Sequence, residues 1–475
     1  MSRRIRFAFL LALATGCATN PVTGRSELAL ISEGQEIQMG KEYAEQVKAA
    51  YGLYDNAGVQ AYVARLGNQL AAGSERPQIP WQFHVIDDAA VNAFALPGGP
   101  VFITRGILTY MNSEAELASV LGHEIGHITA RHSVSQMSQA QLANLGLGVG
   151  SIFSSTIANV SGIASAGLSV LFLKYGRDAE RQSDELGFRY MVREGYDPRE
   201  MASMFETLQR TGGSSGGRLP EWLSTHPNPE NRETATRARI DSLSRDVSAM
   251  KTGREEFLRH VDGMMYGPNP REGFFRNGLF LHPDLRFQLQ FPEGWQTQNT
   301  KQAVAAMSPQ QDAILQMTLG QGSPDQAAQQ FFGQQGIQSS NVSRNSINGN
   351  SAVSGYFQAQ TNQGTVRGIG VWVAYGNSTY QFLGYSPAER FSAYDNVFRR
   401  AIGSFDRLTD PAALNVQAAK VELVRVPSTM TVAEFHRRYP SSIPVEQVAV
   451  INGVDAGGTL RAGQTAKRVV GGVAE

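Results

Sequence analysis

The feature that most constrains this chain is a pair of histidines four residues apart with an acid between them, the run HEIGH at positions 123–127. The run lies in a predicted helix that begins after Ser113, a residue type that caps helices. Residues four apart on a helix are separated by about 40° around its axis, so both imidazoles can reach one ion. The pattern predicts one zinc ion per chain, with His123 and His127 as ligands and Glu124 as the general base.

A third ligand has to come from another part of the chain. Glu180 and Asp184 are four residues apart in a second predicted helix and therefore share one face. We expect Glu180 to bind the zinc and Asp184 to accept the N–H of a ligand histidine, which fixes the tautomer of that ring. His132 would lie on the opposite side of a helix continued from His123, so it is predicted to be a packed or solvated residue and not a ligand.

The N-terminus is typical of an exported chain. Residues 1–16 combine three arginines, a short apolar run and small residues, which predicts a signal peptide. Cys17 is the only cysteine, which excludes disulfide scaffolds and cysteine-ligated zinc modules. Its place resembles a bacterial lipobox, so we expect acylation of Cys17, a tether at 17–31 and anchoring without a spanning helix. The alternative is a plain signal peptide with a buried spectator cysteine.

Composition and pattern predict an α+β fold of several domains. Lys+Arg and Asp+Glu are both 42, so nothing in the net charge favours a nucleic-acid partner. The stretch 133–173 has no charged residue and is predicted to form a lid over a cleft, with a membrane span as the alternative. Beyond residue 270 the apolar pattern alternates with period two, which predicts an antiparallel sheet. We expect a mainly helical domain with a small sheet at 32–265, an α+β antiparallel-sheet domain at 275–408 and a small C-terminal domain at 413–475.

Four motifs together resemble the M48 zinc metallopeptidases, a gluzincin family. They are the run 92–99, HEIGH at 123–127, the pair Glu180 and Asp184, and the run STHPNPENR at 224–232. The resemblance covers about residues 33–239 and implies a zinc endopeptidase with His226 and Arg232 near the metal. For His226 two roles stay open: an oxyanion donor helped by Arg232, or a fourth zinc ligand that holds the enzyme off.

The same resemblance implies a place for the substrate. In the family, the segment after Pro97 is an edge strand of the active-site sheet. Residues 100–104 would then pair with an extended peptide, which only an unfolded chain can offer. The predicted substrate-binding residues are Gly98, Gly99, Val101, Phe102 and Ile103.

The start of the mature chain resembles that of the lipoprotein members of the family. These members face the periplasm of Gram-negative bacteria from the outer membrane and act in the quality control of outer-membrane proteins. The resemblance therefore implies unfolded or misassembled envelope proteins as substrates, and the outer-membrane assembly machinery as a partner. A chaperone or assembly factor with a latent zinc site is one alternative function.

Two segments in the C-terminal half of the chain resemble known domain types. The run 291–295 resembles a PsbP/Mog1-type domain. Residues 428–468 weakly resemble a LysM module, which would imply contact with peptidoglycan. A peptidoglycan-associated binding protein, with the peptidase as an accessory, is therefore a second alternative.

Overall fold

The structure, a computed structural model, describes residues 17–147, 175–214, 221–226, 229–244, 246–361 and 364–472. The described residues divide into two compact units, one of those up to Pro268 together with Ala419–Gly471, the other of Asn269–Ala418. The signal peptide predicted at 1–16 and most of the stretch 133–173 lie outside the described residues. Among the helices that are described, none combines the length and the apolar character needed to cross a membrane.

Helices make up most of the first unit. After a short hairpin of β1 (Cys17–Thr19) and β2 (Ser26–Leu28), the described helices are α1 (Glu33–Tyr51), α2 (Ala57–Ala72), α3 (Arg105–Tyr110), α4 (Glu114–Thr129), α5 (His132–Leu147), α6 (Arg177–Arg193), α7 (Arg199–Ser214), α8 (Glu221–Thr225), α9 (Pro229–Asp241) and α10 (Arg254–Val261). The predicted cap of α4 is confirmed, since the Ser113 side chain accepts a hydrogen bond from the N–H of Glu116. Every residue of α4 is buried, so this helix lies in the middle of the core.

A three-stranded sheet completes the first unit. Its strands are β3 (Gln82–Ile86), β4 (Ala93–Ala95) and β5 (Pro100–Thr104), in the order β3-β5-β4. Strand β5 pairs with β3 in parallel and with β4 in antiparallel orientation, so it is the central strand. The prediction that residues 100–104 form a free edge for a substrate is therefore wrong. Hydrogen bonds to two neighbours already occupy both sides of its backbone.

The five residues predicted to bind substrate lie in the central strand β5 and in the turn that precedes it. Val101, Phe102 and Ile103 are at most 1 % exposed. Gly98 and Gly99 form the turn into β5 with φ values of 77° and 132°, a backbone region that favours glycine. A side chain on Gly98 would meet the backbone of α1, with its Cβ 2.6 Å from the Cα of Ile37. These five residues build the sheet and its turn.

Helices α4 and α6 approach each other through glycines. A Cβ on Gly187 would lie 2.8 Å from the backbone nitrogen of His123, and one on Gly122 would lie 3.0 Å from the Cα of Gly187. Only residues without a side chain allow the two backbones to come this close. The contact brings the N-terminal half of α6, with Glu180 and Asp184, beside the HEIGH run.

The helix that carries HEIGH does not continue through His132. It ends at Thr129, and α5 begins at His132 after a turn in which Arg131 has a φ of 57°. The Arg131 guanidinium donates to the Glu36 carboxylate at 2.9 Å and to the carbonyl of Ile31 at 2.8 Å. The expectation that His132 lies on the far side of one continuous helix is wrong, because these distant contacts stabilise a turn that local periodicity does not predict.

The second unit is built on antiparallel sheets, which confirms the α+β fold class. The strands are β6 (Phe274–Arg276), β7 (Leu279–His282), β8 (Phe287–Gln290), β9 (Gln296–Asn299), β10 (Ala303–Met307), β11 (Ile314–Gly320), β12 (Ile337–Ile347), β13 (Asn350–Thr361), β14 (Gly364–Tyr375), β15 (Ser378–Pro387) and β16 (Asp406–Arg407). One sheet has the order β12-β13-β14-β15-β11-β10-β9 and the other β16-β8-β7-β6. The helices are α11 (Pro324–Phe332), α12 (Phe391–Gly403) and α13 (Pro411–Leu414).

The C-terminal segment belongs to the first unit. Its elements are β17 (Lys420–Arg425), β18 (Met430–Thr431), α14 (Val432–Arg438), α15 (Val445–Ile451), β19 (Thr459–Leu460) and β20 (Thr465–Val470), with β17 paired to β20. Lys467 is fully buried and donates to the carbonyls of Thr109 and Met111, just before α4. The LysM resemblance and the domain boundaries at 32–265, 275–408 and 413–475 stay predictions.

Candidate metal centre

Four side chains from two helices, α4 and α6, and from the turn after α8 converge inside the first unit. The Nε2 atoms of His123 and His127 are 3.0 Å apart, and the Glu180 carboxylate oxygens lie 3.6 Å from the first and 3.5 Å from the second. The fourth side chain is His226, whose Nδ1 lies 2.9 Å from Glu180 Oε1 and 3.2 Å from His123 Nε2. All four residues are buried, and together they can hold one metal ion.

The spacing of these atoms fits zinc. Zinc bonds of about 2.0–2.2 Å to nitrogen and oxygen give a tetrahedron with edges of about 3.3–3.6 Å. The two separations between Glu180 and the histidines of HEIGH, 3.5 and 3.6 Å, fall within that range, and the other three, 2.9–3.2 Å, are shorter than its lower limit. Three imidazoles and one carboxylate are also a donor set typical of zinc.

The ring of His123 is oriented by the ion pair of Asp184 and Arg232, which lies on its Nδ1 side. Its Nδ1 lies 2.9 Å from Asp184 Oδ1, and Arg232 donates to both oxygens of that carboxylate, at 2.8 and 2.6 Å. Burial raises the pKa of Asp184, but the Arg232 guanidinium and the hydrogen bond with His123 together outweigh it and hold the pKa below its usual range. The ionised carboxylate keeps the proton of His123 on Nδ1 and leaves Nε2 free to bind a metal.

The second candidate ligand, His127, is kept neutral. Burial lowers its pKa well below the usual value for histidine. With Nε2 of both histidines free of a proton, two lone pairs face each other at 3.0 Å. Such a contact is repulsive unless a cation lies between the nitrogens, so the arrangement itself favours a bound metal.

Glu124 is buried beside the four donors. It has no exposed surface, and among the described residues neither of its carboxylate oxygens has a hydrogen-bond partner. The Nε2 of His226 is 3.7 Å from its Oε1. A buried carboxylate without partners is costly, and a water held between Glu124 and the metal would satisfy it.

Sequence reasoning missed several aromatic residues that enclose the site. The ring of Tyr175 stacks on His127, with centroids 4.0 Å apart, and Trp222 stacks on His226 at 4.9 Å. The Arg232 guanidinium lies 4.5 Å from the ring centroids of both Phe205 and Trp222. Tyr175 and Phe205 lie far from the HEIGH run in sequence and reach the site only through tertiary packing, whereas Trp222 is four residues before His226 and reaches it through the local turn.

The sequence did not predict that His132 contacts the site. The expectation of a packed or solvated residue is resolved in favour of a packed one. It is 9 % exposed, and its Nδ1 lies 3.0 Å from Nδ1 of His127. Burial lowers its pKa below the usual value. The residue contacts a candidate ligand directly, in a way that the sequence spacing had excluded.

Comparison with known proteins agrees with the site. Residues 58–240 match the model of peptidase family M48. The chain is 32 % identical over 240 residues to the beta-barrel assembly-enhancing protease of Escherichia coli (strain K12), which covers 49 % of each chain. It is 29 % identical over 243 residues to the mitochondrial metalloendopeptidase OMA1 of Arabidopsis thaliana, covering 50 % of this chain and 47 % of that one. The chain therefore spans about half the length of the curated relatives it matches.

A solved structure is similar to part of the chain. The cyanobacterial PsbP from Synechocystis sp. PCC 6803 has a TM-score of 0.24 and 12 % identity, and the match covers 28 % of this chain and 94 % of that one. At that score the likeness adds nothing to the PsbP-type resemblance at 291–295. The residues that match family M48 include all four donors of the candidate metal centre, His123, His127, Glu180 and His226.

Proposed function

We propose that this chain is a zinc-dependent endopeptidase that cleaves unfolded or misassembled proteins of the cell envelope. The observation that carries the proposal is the tetrahedral spacing of donor atoms on His123, His127 and Glu180, with the partnerless carboxylate of Glu124 beside them. Zinc bound there supplies a Lewis acid that polarises the scissile carbonyl and activates a water molecule.

The residues of the chain then perform the proton transfers. Glu124 takes a proton from the attacking water as the oxygen bonds to the carbonyl carbon. The same carboxyl group delivers that proton to the amide nitrogen as the C–N bond breaks, so Glu124 ends the cycle ionised. Asp184 and Arg232 hold the ring of His123 throughout, by the hydrogen bonds described above.

An extended substrate is proposed to pair with strand β4. In the described sheet no strand pairs with the outer edge of Ala93–Ala95, and β4 packs against α4 next to the site. Pairing of this kind uses backbone hydrogen bonds and suits any unfolded chain. This placement replaces the predicted pairing with residues 100–104.

The proposal is tested by replacing the general base alone. Glu124→Gln should keep one zinc per chain and lose casein cleavage by a factor of ~10³ or more, because the amide cannot take the proton. The matched control is Glu185→Gln, an exposed position on α6, which should keep both zinc and activity. Full activity of Glu124→Gln, or His123→Ala with full zinc content, would contradict the mechanism.

His226 is proposed to act as a switch on the fourth zinc position. Its Nδ1 already lies within 3.2 Å of atoms on two other donors, which supports a ligand role over an oxyanion donor. A catalytic zinc needs an open position, so this ring must leave before substrate is cut. His226→Ala should therefore raise basal casein cleavage and self-cleavage. A loss of about 10²–10³ in turnover with zinc retained would instead identify an oxyanion donor.

If His226 fills the fourth zinc position, the site also suits a second candidate function, that of a chaperone or assembly factor with a latent zinc site. The two functions separate on one variant. A chaperone role survives Glu124→Gln, whereas a peptidase role does not. Aggregation of an unfolded envelope protein in the presence of Glu124→Gln measures the difference.

The envelope location is part of the proposal. The relatives named beta-barrel assembly-enhancing protease support outer-membrane β-barrel proteins as substrates and their assembly machinery as a partner. We propose that Cys17 is acylated and anchors the chain to the outer membrane, facing the periplasm. Cys17→Ala should leave the chain in the soluble periplasmic fraction or unprocessed. Membrane fractionation of this variant at mature size would contradict acylation.

A further inference from the structure

A second histidine lies behind the metal-facing ring of His127. The Nδ1 of His132 is 3.0 Å from Nδ1 of His127, on the nitrogen that does not face His123 and Glu180. Both residues are buried. Two ring nitrogens at this distance share one proton, so one of them donates and the other accepts.

Gln182 settles the direction of that hydrogen bond. Its Oε1, which can only accept, lies 2.9 Å from Nε2 of His132, so the proton of His132 sits on Nε2. The Nδ1 of His132 is then a lone pair that accepts the N–H of His127. The Ser183 hydroxyl, 3.3 Å away, can donate to the same lone pair. His127 is left with an unprotonated Nε2, 3.0 Å from Nε2 of His123.

We propose that Gln182 and His132 form a relay that holds His127 in the tautomer that binds zinc. Ligand histidines usually donate their second N–H to a carboxylate or a carbonyl, as His123 does to Asp184. For His127 an imidazole takes that place, and an amide oxygen supplies the acceptor at the end of the chain. Both residues are positioning residues, since they act on the metal through His127.

The fold holds this relay in place from outside the metal site. The turn at Arg131, with its φ of 57°, directs His132 back toward His127. Glu36 on α1 binds the Arg131 guanidinium at 2.9 Å. Gln182 lies on α6 between Glu180 and Asp184, so the same helix supports both ligand histidines from behind.

The relay rests on the proposed zinc site and not on peptidase activity, so the test measures zinc affinity. The apo form of the full chain competes with a chromophoric chelator for zinc alone. His132→Leu removes the acceptor at similar volume and should weaken zinc binding ~10–100-fold. His132→Asn offers an amide oxygen near the position of Nδ1 and should recover about tenfold of that loss.

A second pair of variants tests the end of the relay on the partly exposed Gln182. Gln182→Glu keeps an acceptor and should bind zinc as the wild type does, whereas Gln182→Leu should weaken binding by about 3–10-fold. Gln139→Leu, an exposed glutamine on α5, is the matched control and should change nothing.

The outcomes separate the relay from simple packing. Equal zinc affinities for His132→Leu and His132→Asn, or for Gln182→Leu and Gln182→Glu, would overturn the relay. If circular dichroism shows that His132→Leu does not fold, the zinc affinities of Gln182→Leu and Gln182→Glu still test the relay. A wild-type chain that binds no zinc would overturn the proposed metal site itself, which is a different result.

Discussion

Substitution of Arg76 is expected to destabilise the first unit strongly. It is 1 % exposed and forms a two-pronged pair with Glu36, which is also 1 % exposed, at 2.8 and 3.1 Å. The same guanidinium donates to the carbonyl of Ile128 at 2.9 Å, one residue after His127. Arg76 therefore links α1 to the C-terminal end of the zinc-binding helix.

The cost of Arg76→Met follows from what it leaves behind. Removing one partner of a buried pair costs about 3–5 kcal/mol, because the remaining charge is uncompensated. Arg131 still donates to Glu36, which favours the lower end of that range. The carbonyl of Ile128 loses a donor, worth ~1 kcal/mol. We expect the free energy of unfolding to fall by about 3–4 kcal/mol, a urea midpoint shift of about 1 M for a slope of ~3 kcal/mol per M.

Urea unfolding followed by tryptophan fluorescence measures this change. The chain has four tryptophans, and replacing Trp295 and Trp372 by Phe leaves Trp81 and Trp222 to report on the first unit. Arg181→Met, which breaks only an exposed pair with Asp178, is the control and should stay within about 0.5 kcal/mol.

A double-mutant cycle isolates the pair. In Arg76→Met, the further change Glu36→Gln removes the stranded charge, so the double variant should be more stable than the sum of the single losses predicts, by about 2–3 kcal/mol. Additive losses, or an Arg76→Met midpoint equal to that of Arg181→Met, would refute the reasoning.

Three further predictions concern the metal centre and the second unit. Asp184→Ala should keep the fold but weaken zinc retention ~10–100-fold, measured against Asp184→Asn, which keeps an acceptor for His123. Gly187→Ala forces its Cβ against the backbone of His123, so zinc content should drop and the free energy of unfolding should fall by about 1–3 kcal/mol in urea. Burial lowers the pKa of His282 to about 4, so the unfolded chain binds the extra proton first and stability falls as pH drops from about 6.5 to about 4. His282→Asn, which can still accept from the N–H of Leu285, should remove that acid-side loss in thermal unfolding.

Much of the candidate site could be predicted from local pattern. The cap at Ser113 and the i, i+4 spacing of His123 and His127 depend only on helix geometry, and the structure shows both. The spacing of Glu180 and Asp184 likewise placed a metal-facing and a supporting carboxylate on one face of α6. The period-two pattern beyond residue 270 predicted the antiparallel sheets of the second unit, because successive side chains of a strand point to opposite faces of its sheet.

The errors share a cause. The strand at 100–104 was expected at an edge, but strand order depends on which segments pair, and β3 and β4 take both of its sides. The helix was expected to run through His132, but it ends because Glu36, 95 residues away, binds Arg131 in the turn. Neither contact leaves a signal in the residues around the segment it affects.

The sequence by itself therefore predicted the candidate donors of the metal centre: two imidazoles four residues apart on one helix, with Glu124 beside them, and the Glu180 carboxylate on a second helix. Only the tertiary structure decided what surrounds them: His226 within 3.2 Å of Glu180 and His123, His132 at 3.0 Å from His127, and the central position of β5. The physical reason is the separation along the chain of the residues that interact. Helical spacing follows from backbone geometry over four residues, whereas these contacts depend on how closely α4 and α6 pack at Gly122 and Gly187, and on how distant segments fold against them.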